Sequence, residues 1–202
     1  MAQEELLAQV RAKAQAWLAP GYDAETRSEV QRLLDSEDTT ELIESFYKDL
    51  EFGTGGLRGI MGVGSNRMNR YTVGAATQGL ANYLKQEFAS LPQIRVAIGH
   101  DCRNNSDVFA RIAAEIFSAN GIEVFLFESL RPTPEVSFAI RELGCQSGVM
   151  ITASHNPKEY NGYKAYWSDG AQMLAPHDRN TIIEVNKITK VEDIHFNARP
   201  EL

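Results

Sequence analysis

A serine follows closely after an apolar run in this chain of 202 residues. Ser154 follows the run 149–151, with His155, Asn156 and Pro157 after it and Lys164 beyond a predicted turn. A hydroxyl at the end of a buried strand is held on a rigid base, which suits a nucleophile or a phosphate acceptor. On local sequence alone an ordinary turn is the more common explanation, because Ser, Asn and Pro are frequent turn residues.

A serine hydrolase is one alternative for this segment. The nucleophile elbow of such enzymes needs glycine two positions before and after the serine, and Thr152 and Asn156 stand there instead. His155 adjoins the serine in sequence, and the other histidines are expected to have structural or solvent-facing roles. The four possible bases are His100, His155, His177 and His195. The hydrolase interpretation fails at the elbow.

A glycine-dense segment, residues 52–69, is the second candidate for chemistry. It follows helical sequence, lacks the G-x-G-x-x-G spacing of dinucleotide sites and has no Walker ending. It offers backbone N–H groups free of side chains, together with Arg58, whose planar cation can grip phosphate through two hydrogen bonds. The alternative is a flexible loop with a solvated arginine.

Residues 1–50 are predicted to form a helical extension. Apolar residues recur at helical spacing until Pro20 and Gly21 end the first helix. Asp23 can cap a second helix, and Asp38 followed by Glu41 resembles a capping box for a third. A further helix is predicted over 73–88.

Strands and helices alternate from about residue 93. The predicted strands are 94–98, 122–127 and 148–152, separated by helices over 106–119 and 132–143, and followed by a hairpin (163–167 and 171–174) and a helix over 178–188. This alternation predicts an α/β fold, a three-layer α/β/α domain with a mixed, mainly parallel sheet. Ligands gather at the carboxyl ends of such strands. Asp101, Arg103, Thr133 and Ser154 all follow predicted strand ends.

Composition excludes several classes of partner. The net charge of -7 and the absence of a basic cluster argue against nucleic acid. A signal-like start and an apolar stretch of about 20 residues are both lacking, which predicts no membrane partner and a cytoplasmic location. Cys102 and Cys145 have no CxxC partner, so they are expected to be small buried side chains.

Several motifs resemble a known family. TASHNP at 152–157 followed by NGYK at 161–164 resembles the phosphoserine loop of the α-D-phosphohexomutase superfamily, the phosphoglucomutases and phosphomannomutases. GTGGLRG at 53–59, IGHDCR at 98–103 and RPTPEVSFAI at 131–140 match in order. The sequence is most similar to the branch with phosphoglucomutase-2-type and phosphopentomutase-type enzymes. The resemblance implies a helical extension (1–50), the phosphoserine domain I (51–190) and a truncated linker (191–202) toward a second domain absent from the chain. Residues 191–202 show no core pattern.

The resemblance also implies a mechanism and a set of site residues. Ser154 would carry a phosphate, give it to a sugar monophosphate and regain one from the sugar bisphosphate, which makes the enzyme an isomerase. Arg58 would contact the phosphoryl group, Lys164 would stabilise charge or move a proton, and His155 would lie against the site. Thr54, Gly55, Arg58, Asn156 and Arg103 are the implied phosphate- or substrate-binding residues. Arg103 and Thr133 are expected to support the loop more than to touch the sugar, while Asn161 and Gly162 are expected to shape the turn before Lys164.

The family's magnesium loop is missing from this sequence. Asp101, Asp169 and Asp178 stand alone, so Mg²⁺ could be held here only through a phosphate on Ser154. The chain is therefore expected to be an inactive fragment that needs the remaining domains of the same enzyme, with sugar phosphates and a sugar bisphosphate as its ligands. The alternative is a noncatalytic phosphate- or anion-binding module.

Overall fold

Side-chain caps set where two of the helices begin. The structure, a computed structural model, describes residues 2–202. Asp23 accepts a 2.8 Å hydrogen bond from the Thr26 amide at the start of α2 (Ala24–Asp35). Asn69 and Thr72 cap each other reciprocally at the start of α4 (Arg70–Glu87). Such caps satisfy backbone N–H groups that have no partner inside the helix.

The third helix, α3 (Thr40–Phe46), begins differently from the prediction. Its N-cap is Thr39, which makes no side-chain cap hydrogen bond. Asp38 lies one residue earlier and accepts a hydrogen bond from the Thr40 amide at 2.9 Å. The predicted capping box is wrong, because the Glu41 carboxylate pairs with Arg32 of α2 at 3.1 Å instead.

The first three helices share a core of their own. Val10 of α1 (Ala2–Ala16), Leu33 and Phe46 are buried in it. Trp17 meets the ring of Tyr71 edge-on, with 5.6 Å between centroids. This core therefore docks on α4 through Tyr71.

Five strands within the described residues form one mixed sheet in the order β1-β5-β4-β2-β3. Their bounds are β1 (Gly56–Ile60), β2 (Arg95–His100), β3 (Glu123–Leu126), β4 (Ser147–Ile151) and β5 (Tyr160–Trp167). β2 pairs in parallel with β3 and β4, whereas β5 runs antiparallel to both β4 and β1. Four strands share one direction and β5 alone is reversed, which confirms a mixed, mainly parallel sheet.

Helices cover both faces of this sheet. α4, α5 (Ser106–Ala119) and α7 (His177–Val185) lie on one face, and α6 (Thr133–Glu142) lies on the other. Val96 and Ile98 of β2 point into the α4–α5 core, while Ala97 between them packs with Ile140 of α6. The three-layer α/β/α architecture is confirmed.

Strand β1 lies inside the segment 52–69, which the sequence predicts to be a loop. The prediction is wrong there because the partner strand β5 is distant in sequence, and because β1 is only five residues long and contains two glycines. Gly56 has φ +149°, and a Cβ at this position would collide with the carbonyl oxygen of Tyr163. Glycine thus permits the close contact between β1 and β5.

The predicted hairpin is correct only in its first half. β5 forms and is longer than predicted, but among the described residues 171–174 no strand is found. A single bridge joins Tyr166 to Gln172, and the Met173 amide donates to the Ala165 carbonyl at 2.9 Å. The last helix also ends earlier than predicted, at Val185.

The two cysteines lie in different environments. Cys145 is buried as expected, and burial raises its pKa to about 11. Cys102 is exposed, so the expectation of a buried side chain is wrong for it. It follows the end of β2, where the chain bends at the surface.

The segment 191–202 packs against the α/β domain. Ile194 is buried, and the Phe196 ring lies 4.4 Å below the Arg70 guanidinium. The Leu202 carbonyl accepts a 2.8 Å hydrogen bond from the Val124 amide of β3. The sequence of this segment shows no core pattern, yet Ile194 is buried in the structure, because its contacts are with α4, which is remote in sequence. In residues 2–202, every helix is too short or too polar to cross a membrane.

Candidate active site

Ser154 lies in an exposed loop at the carboxyl end of β4. Its φ is 55°, in the left-handed region that residues with a Cβ seldom adopt. Its Oγ lies 3.3 Å from Nδ1 of the exposed His155. The hydroxyl is therefore accessible to a ligand from solution.

The N-terminal side of this loop is tied to Asp101, the residue after β2. The Thr152 hydroxyl donates to Oδ2 of Asp101 at 2.6 Å, and the Thr152 oxygen accepts the Ser154 amide at 3.0 Å. Oδ1 of Asp101 accepts from the Arg103 amide at 3.0 Å and the Ser106 hydroxyl at 2.8 Å. The carboxylate thus links two strand ends.

The C-terminal side of the loop is bound by Arg103. One terminal nitrogen, Nη2, donates to the carbonyls of Ser154 and Asn156, both at 2.7 Å. The other, Nη1, donates to the carbonyls of Pro157 at 3.0 Å and Tyr160 at 3.2 Å. Both terminal nitrogens of Arg103 are therefore engaged with backbone carbonyls of the Ser154 loop.

Arg58 and Lys164 lie on the same face of the sheet. Arg58 pairs with Gly162 of β5, and Lys164 pairs with Gly56 of β1, two positions along the same ladder. Arg58 also donates a 2.9 Å hydrogen bond from Nη1 to Oδ1 of Asn156. Lys164 is half-buried, and its ammonium forms no hydrogen bond or ion pair with the rest of residues 2–202. The structure brings both cations to the face that the Ser154 loop contacts.

Thr54 and Gly55 lie in a tight turn that leads into β1. Gly53 and Gly56 exchange backbone hydrogen bonds, and the Gly55 carbonyl accepts the Ala165 amide at 2.8 Å. Within the described part of the chain, the amides of Thr54 and Gly55 donate to no other group. The turn is thus fastened beside Lys164 and leaves these two donors free.

Other predicted residues fall outside this cluster. Thr133 starts α6 and makes no side-chain hydrogen bond to the Ser154 loop. His177 stacks on Trp167 at 3.8 Å, and His100 bonds the Asp101 carbonyl. His195 is held through its backbone amide. Among the histidines of residues 2–202, only His155 contacts Ser154, and no carboxylate orients it, so a hydrolase triad does not form.

Asn161 and Gly162 belong to strand β5, so the expectation that they shape a turn is wrong. The Asn161 amide group is buried and donates to the Asn104 carbonyl and the Ser106 hydroxyl, both at 3.0 Å. The sequence interpretation named Asp101 and Asn161 but did not predict that they and Thr152 hold the Ser154 loop and its neighbouring strand ends through side-chain hydrogen bonds. A polar sequence such as Asp101-x-Arg103, directly after a buried strand, is the signal that could have indicated residues that hold a neighbouring loop.

The donor set does not fit a complete magnesium site. Within the described residues no group of three or more His, Cys, Asp or Glu side chains could hold a metal ion. Both oxygens of Asp101 are occupied by Thr152, Ser106 and Arg103. Mg²⁺ prefers six oxygen ligands in near-octahedral geometry, and this loop could supply only an oxygen on Ser154.

The Ser154 loop is also open to solvent. Clefts of about 400 Å³ and about 420 Å³ lie elsewhere, the first between α4, Trp17 and the 185–194 segment. Neither is lined by Ser154, Arg58 or Lys164.

Comparison with known proteins agrees with the motifs. Residues 49–192 match the family model described as phosphoglucomutase/phosphomannomutase, alpha/beta/alpha domain I. A "Probable phosphoribomutase" of Schizosaccharomyces pombe (strain 972 / ATCC 24843) is 44% identical over 171 residues, which cover 85% of this chain and 29% of that protein. A phosphoglucomutase of Staphylococcus haemolyticus (strain JCSC1435) is 45% identical over 177 residues, with coverage of 86% and 31%.

A solved structure shows the same fold. The crystal structure of the exocytosis-sensitive phosphoprotein parafusin, a phosphoglucomutase from Paramecium, in its open form, superposes with a TM-score of 0.59 at 25% identity. The match covers 69% of this chain and 26% of that one. The chain thus spans less than a third of the length of these relatives. It belongs to the phosphoglucomutase/phosphomannomutase family and corresponds to domain I.

Proposed function

We propose that Ser154 is the phosphoryl carrier of a sugar-phosphate mutase. In this proposal the whole enzyme moves a phosphoryl group between the 1-position and the 6- or 5-position of a sugar through a bisphosphate intermediate. The observation that carries the proposal is the exposed Ser154 hydroxyl at φ 55°, beside Asn156, which Arg58 binds. Backbone strain of this kind is frequent at functional sites.

The charges around the loop suit phosphoryl transfer. The reaction needs in-line positioning of the reacting oxygens and positive charge around the three equatorial oxygens. In the step that returns a phosphate from the sugar bisphosphate to the serine, the Ser154 Oγ–P bond forms, the P–O bond to the sugar breaks, and the serine proton passes to the sugar oxygen. Arg58 would hold the phosphoryl oxygens, and Lys164 would stabilise charge or relay the proton.

The remaining predicted residues would complete the binding of the phosphate. The free amides of Thr54 and Gly55 can donate to it, and Asn156 keeps Arg58 in place. His155 can hydrogen-bond Ser154 Oγ or its phosphate. None of these contacts selects a particular sugar, so the choice of sugar belongs to other parts of the protein.

The isolated chain is proposed to be inactive as a mutase. Carboxylates outside this chain would complete the Mg²⁺ site with an oxygen of the phosphorylated Ser154, and further domains would cover the sugar. The ligands are then sugar phosphates and a sugar bisphosphate, in the cytoplasm. With glucose 1-phosphate and Mg²⁺ the purified chain should show no turnover, and measurable turnover would refute the fragment hypothesis.

Covalent labelling tests the carrier role directly. The chain is incubated with glucose 1,6-bisphosphate and Mg²⁺, and intact mass with peptide mapping is used to locate any phosphate. Phosphate should appear on Ser154 and be lost in Ser154→Ala. Phosphate that persists in the alanine variant overturns the assignment. Binding of the bisphosphate without phosphorylation of the chain would support the noncatalytic anion-binding module instead.

A further inference from the structure

We infer that Arg103 and Asp101 form a positioning pair that sets the conformation of the Ser154 loop before any ligand binds. The inference extends the proposed function, because it concerns how the phosphoryl acceptor is presented. Neither residue needs to touch the phosphate. Both act through the backbone and through Thr152.

Arg103 fixes the loop after the serine. Its two terminal nitrogens each bridge two carbonyls, and together these four acceptors lie between Ser154 and Tyr160. Only 13% of the Arg103 side chain is exposed. A planar guanidinium spans separated acceptors with a fixed geometry, whereas a lysine ammonium donates from a single point. Replacing this side chain would remove the donor to the carbonyls of Ser154 and Asn156, whereas the Pro157 carbonyl would keep its hydrogen bond from the Tyr160 amide.

Asp101 fixes the loop before the serine and orients the arginine. Its Oδ2 holds the Thr152 hydroxyl, whose oxygen accepts the Ser154 amide. The same oxygen lies 3.5 Å from Nε of Arg103, and Oδ1 accepts the Arg103 amide. Ser154 is thus bound through its amide on one side and its carbonyl on the other.

This arrangement accounts for the left-handed conformation of Ser154. A single hydrogen bond would leave the residue free to relax to negative φ, which residues with a Cβ prefer. Attachment at both ends removes that freedom and points Oγ outward. Because the Ser154 hydroxyl is already oriented, the reaction does not have to bear the entropic cost of ordering the loop.

Hydrogen exchange tests the positioning pair without any reaction. The variants are Arg103→Ala, Arg103→Lys and Asp101→Asn, with Arg95→Ala as the matched control, because Arg95 starts the same strand and pairs with Glu123 at the opposite end. Exchange of amides in 153–160 should rise by about tenfold or more in the three variants and stay unchanged in the control. Unchanged exchange in Arg103→Lys and Asp101→Asn would overturn the inference, even if Arg103→Ala fails to fold.

A kinetic measurement separates positioning from direct phosphate binding. The rate of Ser154 phosphorylation is measured against glucose 1,6-bisphosphate concentration. Positioning predicts that the maximal rate falls about tenfold or more in Arg103→Lys, with the half-saturating concentration unchanged. It also predicts recovery of Arg103→Ala by millimolar guanidinium. A rise in the half-saturating concentration alone would overturn the inference. If the unmodified chain is never phosphorylated, the proposed function fails while hydrogen exchange still decides the positioning role.

Discussion

Arg58 donates a 2.9 Å hydrogen bond to the side-chain oxygen of Asn156, although the two residues lie 98 positions apart in the chain. Arg58 comes from the edge strand β1, and Asn156 comes from the loop after β4. The central contact is made possible by β5, which lies between these strands and pairs with both. Formation of the sheet therefore places the Arg58 guanidinium beside the Ser154 loop.

Asn156→Asp should slow phosphorylation of Ser154. The new carboxylate would pair with Arg58 and repel the incoming phosphate, so a fall of about tenfold or more is expected from a nearby like charge. Asn156→Ala removes a single exposed hydrogen bond, and its rate should fall by less than about threefold. The rates are measured by mass analysis of the Ser154 peptide. Equal rates for the two variants would show that charge beside Arg58 is unimportant.

Ser154→Gly should be more stable than Ser154→Ala. Both variants lose the hydroxyl, so their difference isolates the backbone at φ 55°. Glycine adopts this conformation without steric cost, and the expected difference in the free energy of unfolding is about 1 kcal/mol. Urea unfolding at neutral pH measures it.

Two positions provide controls for this comparison. Asn105 has φ 60°, and its glycine variant should likewise be more stable than its alanine variant. Lys158 lies near Ser154 without a positive φ, so glycine should give no advantage there. If alanine proves as stable as glycine at 154, the loop is not held in the left-handed conformation in solution.

The position of Ser154 at a strand end could be predicted from sequence, but the contacts that hold its loop could not. Ser154 follows a continuous apolar run, and the alternation of strands and helices places it at the carboxyl edge of a sheet. The bonds of Arg103 go to backbone carbonyls, which every residue possesses, so they leave no trace in side-chain types. Strand β1 escaped prediction for a similar reason, since its pairing depends on the remote β5.

Acid should loosen the contact between the first three helices and α4. The Tyr71 hydroxyl donates a 2.7 Å hydrogen bond to the Asp23 carboxylate. Burial by itself would raise the pKa of Asp23, but hydrogen bonds from Thr26 and Tyr71 outweigh it and lower the pKa. Because the pKa of Asp23 is lower in the folded chain, the contribution of its carboxylate to stability is fully present above the unfolded pKa of about 3.9. This contribution is lost as the pH falls through the folded pKa.

Tyr71→Phe tests this linkage. At pH 7 the variant should be less stable by about 1–2 kcal/mol, and the deficit should shrink as pH falls below about 4, because protonation weakens the bond in the parent chain. Urea unfolding across this pH range measures the deficit. Tyr22→Phe is the control, since Tyr22 lies in the same cluster but forms no hydrogen bond with Asp23 among the described residues. A Tyr71→Phe deficit that is independent of pH would contradict the prediction.

The two cysteines should react at very different rates. Cys102 is exposed, whereas burial raises the pKa of Cys145 to about 11 and keeps it protonated at pH 8. Iodoacetamide should modify Cys102 at least about a hundredfold faster, because the thiolate is the nucleophile. Cys102→Ser should abolish the fast phase, and unfolding in urea should equalise the two sites. Rapid labelling of Cys145 in the folded chain would contradict the buried position.

Gly56→Ala should disrupt the pairing of β1 with β5 that places Arg58 beside the Ser154 loop. At φ +149° the added Cβ would collide with the Tyr163 carbonyl oxygen in the neighbouring strand. Backbone strain and loss of pairing should lower the free energy of unfolding by about 3 kcal/mol and should also slow Ser154 phosphorylation.

Gly53→Ala is the matched control in the same turn. Its φ is not positive, and the nearest atom to an added Cβ lies at 3.9 Å, an ordinary van der Waals distance. Its stability should stay within about 0.5 kcal/mol of the parent. Urea unfolding and Ser154 labelling are measured on both variants. If Gly56→Ala is destabilised but Ser154 is still phosphorylated at the normal rate, β1–β5 pairing is not needed to place Arg58 beside the serine loop. That result would contradict the prediction, because loss of stability would then occur without loss of phosphorylation.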